Sequence, residues 1–131
     1  MGNSNLFLNL FREKDAKSYA AGQYVFKTGD QGDVMYIVTE GAVEILDGST
    51  ILETAGPGSI VGELALIDDE PRSASVRVQI DSKLVPVDRR RFEFMVTETP
   101  FFALAVMKVL ADRLRNTSTR LRPKELTAAG G

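Results

Sequence analysis

The chain reads as an α+β fold: an antiparallel, jelly-roll-like β-roll with a short N-terminal helix, a short helix inside the roll and two C-terminal helices. Three observations lead there. Eight of the eleven glycines fall between Gly22 and Gly62 and none between Glu63 and Ala129, so the first part of the chain turns often and the last part does not. Between those glycines lie short runs rich in β-branched and aromatic residues, the composition of strands. From Arg89 onward the apolar residues recur at helical spacing instead. With 131 residues, 44% of them hydrophobic, the chain has material for one domain over 1–131 and one core, not for two.

Taken in order, residues 5–21 form an N-terminal helical segment, with an amphipathic helix over Asn5 to Lys17 that offers Leu6, Leu8, Leu10 and Phe11 to the roll. The roll occupies 22–88. Its strands are expected over Tyr24 to Thr28, Val34 to Glu40, Ala42 to Leu46 and Ile51 to Thr54, then Ala74 to Gln79 and Lys83 to Asp88, the last two joined through Asp81-Ser82. Asp47-Gly48 signals a tight hairpin, and Gly56-Pro57-Gly58 a wider turn that delivers the chain to Gly62. The result is a closed or nearly closed roll. Two helices follow over 89–122. The first carries Phe92, Met95 and Val96; the second opens with Thr99 as N-cap and Pro100 in its first turn, and Pro123 stops it. Residues 123–131 read as a flexible tail.

The chain contains no cysteine and no histidine, which removes thiolate nucleophiles, disulfides, the commonest general base and the commonest metal ligand. No enzyme is expected, and no metal or other cofactor. A formal net charge of -2 and a pI near 5.2 argue against direct DNA binding, which relies on clustered Lys and Arg. Arg89, Arg90 and Arg91, and the set Arg113, Arg115, Arg120, Arg122 and Lys124, read as solvated faces or as favourable charges at the last turns of helices. No apolar run is long enough to span a bilayer and no signal-peptide pattern opens the chain, so the expected location is cytoplasmic, away from the membrane.

One segment carries chemistry. Gly62 to Val76, GELALIDDEPRSASV, places an anion trap, a carboxylate and an arginine on one short loop. Gly62 lets backbone approach a ligand closely, and Leu64 to Ile67 suit a short buried helix whose first N–H groups favour negative charge. Beyond the turn-forming Asp68, Asp69 and Pro71, Arg72 brings a planar five-donor fork that grips two phosphate oxygens at once. Glu63 would repel a phosphate, so its partner is a donor elsewhere on the same ligand, such as a ribose hydroxyl. The set suits a sugar phosphate. Taken singly, Arg72 would be a surface arginine paired to Asp68, Asp69 or Glu70, and Glu63 an ordinary helix-start carboxylate.

This segment resembles the phosphate-binding cassette (62–76) of the cyclic nucleotide-binding domain family. The likeness extends upstream through Thr28 to Leu46, TGDQGDVMYIVTEGAVEIL, and downstream into the two helices. Val61 departs from it, since many members carry an aromatic residue there. The resemblance implies that Glu63 binds the ribose 2'-hydroxyl and Arg72 the cyclic phosphate. It places Gly62, Leu64 and Ala65 along the ribose-phosphate edge, with Ser73 and Ala74 following the arginine. The segment ADRLRNTSTRL (Ala111 to Leu121) is similar to the family's base-contacting helix, which implies that Thr117 meets the purine amino group and Ser118 does so from a facing subunit. Cyclic AMP is preferred over cyclic GMP on the strength of Thr117, since Ser73 is compatible with both.

The last helix carries a second pattern. Met107, Leu114 and Leu121 recur at seven, and Ala103, Leu110 and Thr117 fill the companion seam, a heptad stripe that implies a homodimer through this helix. Phe102, Val106 and Val109 form another apolar face for the roll. The expected output is a movement of the final helix, read by an effector protein that the sequence does not identify. The competing reading is an interaction module of the same fold that binds no nucleotide. A hydrolase using Glu63 as base is disfavoured.

Overall fold

A computed structural model gives the backbone of residues 2–11 and 13–130 and the side chains of residues 6–11 and 14–116. Helix α1 (Gly2–Leu10) and a 3-10 turn (Glu13–Asp15) lead into strand β1 (Lys17–Tyr19). The helical segment expected over 5–21 is therefore cut short, because Lys17, Ser18 and Tyr19 pair with Leu84, Lys83 and Ser82 of the roll. Sheet pairing overrides the local helical period here. Phe7, which is not among the expected apolar positions, is fully buried together with Phe11.

The strands that follow are β2 (Tyr24–Phe26), β3 (Val34–Asp47), β4 (Thr50–Ala55), β5 (Ile60–Val61) and, after helix α2 (Leu64–Asp68), β6 (Ser75–Asp88). Sequence reasoning divides both β3 and β6 into two strands, but each is a single 14-residue strand. Gly41 explains the first division. Its φ of 90° lets β3 bulge without ending, and a Cβ there would lie 2.1 Å from Ser82 Oγ. Ser82 accepts from the Ala42 N–H at 3.0 Å and donates to the Ile80 carbonyl at 2.6 Å, so Asp81-Ser82 is a stitched irregularity inside β6 and not a turn.

All pairings are antiparallel, and β3 with β6 forms the spine, from Val34 opposite Asp88 to Leu46 opposite Ser75. β1 and β2 add to β6, while β4 and β5 add to β3. Among the described residues no pairing joins these outer strands, so the roll is open. Inside it, Val38, Val43, Val61, Val76, Val78 and Leu84 form one core cluster. A second cluster lies between sheet and helices and centres on Phe102, whose ring meets those of Phe7, Phe11 and Phe92 at 6.0, 6.1 and 5.6 Å. Edge and tilted contacts of this kind add to the apolar burial.

Helices α3 (Arg89–Glu98) and α4 (Pro100–Gly130) meet at an angle of 114°. Asp88 caps α3 by accepting from the Arg91 N–H at 2.8 Å. Thr99 closes α3 through its N–H to Met95 and opens α4 through its carbonyl, which accepts from the Phe102 N–H at 2.8 Å. The α4 backbone continues past Pro123 to Gly130. The stop expected at Pro123 is not seen, and the backbone of 123–130 within the expected tail is helical, while Gly131 lies outside the described residues. Proline's fixed φ suits a helix, and although its missing N–H and its ring's clash with the carbonyl four residues back cost about 3 kcal/mol, Glu125, Leu126, Ala128 and Ala129 beyond it are good helix formers.

Phe102, Ala105 and Val106 of α4 are buried, whereas Leu104, Met107 and Leu114 are 58, 58 and 69% exposed on the opposite side. Leu110, expected in the seam, packs against the core instead, and Ala103 is half-buried. At 100° per residue they lie nearer Val106 than Leu104, so the exposed stripe is Leu104, Met107, Ala111 and Leu114. Leu121 of the expected stripe lies outside the described side chains. No single helix among the described residues is long and apolar enough to cross a membrane.

Candidate functional site

Gly62 ends β5 with φ 80°, a conformation that strains any side chain, and a Cβ there would stand 2.7 Å from Arg72 Nη1 and 3.1 Å from the Phe26 ring. The glycine thus makes room for the arginine as well as for close backbone approach. Helix α2 starts directly after Glu63, whose own backbone is already helical and whose side chain does not cap it. Only one face of α2 is covered. Ala65 and Leu66 are buried, but Leu64 and Ile67 are 44 and 49% exposed, because a helix this short turns positions three apart to the same outer side.

Arg72 is 6% exposed. Its Nη1 donates to the Gly62 carbonyl at 3.0 Å and its Nη2 to the Val34 carbonyl at 2.7 Å, while the guanidinium lies 3.9 Å from the centre of the Phe26 ring. Nε is buried with no partner, and among the described residues Arg72 makes no ion pair. Burial lowers its pKa, with Tyr36, Asp30, Asp33 and Glu63 pulling the other way from a distance. Gly32 completes the seat, since a Cβ there would fall 2.5 Å from both Nε and Nη2. Arg72 does not pair with Asp68, Asp69 or Glu70. It is a buried cation held by carbonyl dipoles and an aromatic face, a costly arrangement without a counter-charge.

Glu63 is also buried, its side chain 4% exposed, and it is already engaged. Arg113 Nη1 from α4 donates to both Glu63 carboxylate oxygens, at 3.1 and 2.9 Å. The same guanidinium reaches Glu53 of β4 at 3.0 and 3.3 Å and the Ile60 carbonyl at 2.6 Å. Burial alone would lower the Arg113 pKa, but Glu63 and Glu53 outweigh it and leave it raised. Sequence reasoning passed over both partners, placing Arg113 among solvated residues and leaving Glu53 unremarked. The available signal was position: Arg113 falls on the same helical face as Phe102, Val106 and Val109, and Glu53 stands two residues from buried Ala55 on one side of β4.

Gly62, Glu63, Leu64, Ala65, Arg72, Ser73 and Ala74 together line a single cleft, whose other walls include Phe26, Val61, Asp68, Glu70 and Arg113. Its cavity volume is about 150 Å³, below the usual range of small-molecule sites, and it is open at the mouth. The structure therefore brings together seven of the residues singled out from the sequence. Thr117 and Ser118 lie outside the described side chains. The arrangement is chemically asymmetric: an uncompensated cation faces one part of the cleft and a carboxylate with spare lone pairs another.

Residues 16–99 match the family model described as the cyclic nucleotide-binding domain. The chain belongs to that family. The matched region is a regulatory binding domain, not a catalytic one. The chain is 31% identical over 117 residues to a "CRP-like cAMP-activated global transcriptional regulator" of Mycobacterium tuberculosis, covering 86% of this chain and 52% of that protein. Among solved structures it resembles the catabolite activator protein of Thermus thermophilus, with a TM-score of 0.77 and 28% identity over 95% of this chain and 60% of that one. A further likeness is to "Sp-2Cl-cAMPS bound to PKAR CBD2", with a TM-score of 0.67 and 25% identity over 84% of this chain and 70% of that one. The chain spans about half the length of the curated relative it matches, or less.

Proposed function

We propose that this domain is a cyclic AMP receptor whose ligand occupies the cleft beneath α4. The observation that carries the reading is Arg72, a buried guanidinium with an orphaned Nε and no ion pair among the described residues. A cyclic phosphate supplies the missing charge, with Ser73 and Ala74 flanking it and backbone of Gly62, Leu64 and Ala65 along the sugar. Glu63 accepts from the ribose 2'-hydroxyl. Its carboxylate has lone pairs beyond those taken by Arg113, so helix and ligand share one group, and occupancy of the cleft biases how α4 docks. The shift is passed to a partner or effector. In this reading Thr117 meets the adenine amino group, Ser118 does so from a second subunit, and α4 provides the dimer seam. Similarity to a cAMP-activated regulator and to a domain bound to a cyclic AMP analogue supports cyclic AMP over cyclic GMP.

Calorimetry on nucleotide-stripped protein tests this. Cyclic AMP is expected to bind in the micromolar range or tighter, and more tightly than cyclic GMP. Arg72→Lys, which keeps the charge but not the fork, is expected to weaken binding by about ten- to a hundredfold, the equivalent of roughly 1.5 to 3 kcal/mol for a charged hydrogen bond. Thr117→Ala is expected to reduce cyclic AMP affinity selectively. Absence of heat with both nucleotides would reject the receptor reading in favour of a nucleotide-independent interaction module.

A further inference from the structure

Three consecutive acidic residues stand between α2 and Arg72, and they do not share one role. Asp69 is the C-cap of α2, with φ 59°, and its carboxylate pairs with Arg89. Arg89 also donates to the Leu66 carbonyl at 3.0 Å and the Ala65 carbonyl at 3.3 Å. The expectation of a solvated cluster over Arg89, Arg90 and Arg91, or of cations at the last turn of a helix, does not hold. These residues open α3, and Arg91 as well as Arg89 is tied to another element, reaching Asp15 at 3.4 Å. Asp69 is thus neutralised from α3 and does not line the cleft, whereas Asp68 and Glu70 on either side of it do. The Asp68 carboxylate accepts from the Glu70 N–H at 3.1 Å, which ties the two into one turn. Both are exposed, and among the described residues neither makes an ion pair.

The other charges of the cleft are matched, with one exception. Arg113 is held between Glu63 and Glu53. Arg72, 6% exposed and with its Nε unpartnered, is the cation left without a carboxylate. A ligand carrying one negative charge supplies that counter-charge. A second negative charge finds no second free cation among the lining residues and stands before Asp68 and Glu70 instead. Repulsion between exposed like charges is weakened by water and salt but is not cancelled at short range.

We propose that Asp68 and Glu70 are specificity-determining residues that set the charge of the phosphate the cleft accepts, admitting a monoanionic phosphodiester and rejecting a dianionic phosphomonoester such as a 5'-nucleotide. The proposal rests on the receptor reading and deepens it. Opening a cyclic phosphodiester with water leaves base and sugar unchanged and adds the second ionisable oxygen, with a pKa near 6. Base and ribose contacts do not separate the two forms, so charge at the phosphate is an effective place to do so. The same carboxylates also weaken the cyclic ligand, once for its single charge, while the monoester meets them twice.

Competition against a fluorescent cyclic AMP analogue at about pH 7.5, where the monoester is a dianion, tests this on the full chain. The competitors are cyclic AMP, 5'-AMP and the methyl ester of 5'-AMP, which is ring-opened but singly charged. In the unaltered protein the methyl ester is expected to bind more tightly than 5'-AMP. Asp68→Asn with Glu70→Gln, both isosteric and exposed, is expected to raise 5'-AMP affinity about three- to tenfold more than cyclic AMP affinity at low salt. It is also expected to close most of the gap between 5'-AMP and its methyl ester. At about 1 M salt, where screening acts within about 3 Å, the unaltered protein and the double variant are expected to converge. Asp69→Asn, which keeps a residue tolerant of the left-handed conformation, is expected to leave the ratio of 5'-AMP to cyclic AMP affinity unchanged. An unchanged ratio in the double variant overturns the proposal, as does a shift that persists at high salt or one that Asp69→Asn reproduces. Binding of cyclic AMP with an unchanged ratio rejects the charge filter alone; no binding of cyclic AMP to the unaltered protein rejects the receptor reading and the filter together.

Discussion

At the scale of residues, the site turns on how a cation is kept out of water without a carboxylate. Arg72 is seated by two glycines, one aromatic ring and two carbonyls, and each removes a little of its hydration. Gly32 is the sharpest test of that seat, because a Cβ there would meet the guanidinium before anything else. Gly32→Ala is expected to push the fork off its axis and weaken cyclic AMP binding by about tenfold or more, while the melting temperature falls by only a few degrees, at about 4 °C per kcal/mol lost. Calorimetry beside thermal unfolding separates the two effects. The residues on the cassette were legible because glycine, carboxylate and arginine each have few reasons to stand so close in sequence. Arg113 and Glu53 were not, since their meaning depends on a helix and a strand being folded against each other. The helical period places Arg113 on the inner face, but it carries no mark of which carboxylate it meets there.

Element by element, the sequence pattern located the roll and its following helices but broke the strands in the wrong places. Gly41 and Ser82 are turn-formers by type, yet they answer one another across β3 and β6, so two apparent breaks become one bulge. β5 was invisible because two residues hold no periodicity, and β1 because its three residues are too few to show alternation and fell in the segment read as helical. On α4, the helical period identified both an inner and an outer face but assigned to the seam one row, that of Ala103 and Leu110, which lies on the core side. The outer row of Leu104, Met107, Ala111 and Leu114 is what a second copy would cover. Leu104→Glu with Leu114→Glu is expected to shift sedimentation of the nucleotide-bound protein from dimer to monomer, raising the dissociation constant by at least about tenfold, since each lost buried leucine costs roughly 1.5 to 3 kcal/mol. Cyclic AMP binding at the cassette survives in that variant, apart from any contribution from Ser118 of the second copy.

For the molecule as a whole, the cleft lies where roll and helices meet, so its ligand is linked to global stability. Cyclic AMP at about a hundred times its dissociation constant is expected to stabilise the fold by roughly 2.7 kcal/mol, visible as a rise in melting temperature that grows with nucleotide concentration. Arg72→Lys, its affinity lowered ten- to a hundredfold, is expected to cut that stabilisation to roughly 1.4 to 0.4 kcal/mol at equal nucleotide concentration, whatever its effect on the free protein.

The spine of the roll has a kinetic consequence. Val34 and Asp88 are neighbours in space but lie at opposite ends of a loop that contains β4, β5, the cassette and Arg72. Contacts so distant along the chain form slowly, because the entropy of closing the loop is lost before the pairing that offsets it. The nucleotide cleft is therefore among the last parts of a nascent chain to exist. Its two ionic walls, Arg72 from within the loop and Arg113 from beyond it, meet only after the spine has zipped and α4 has been made and docked. A chain interrupted before α4 holds the Arg72 half of the cleft with nothing to close it.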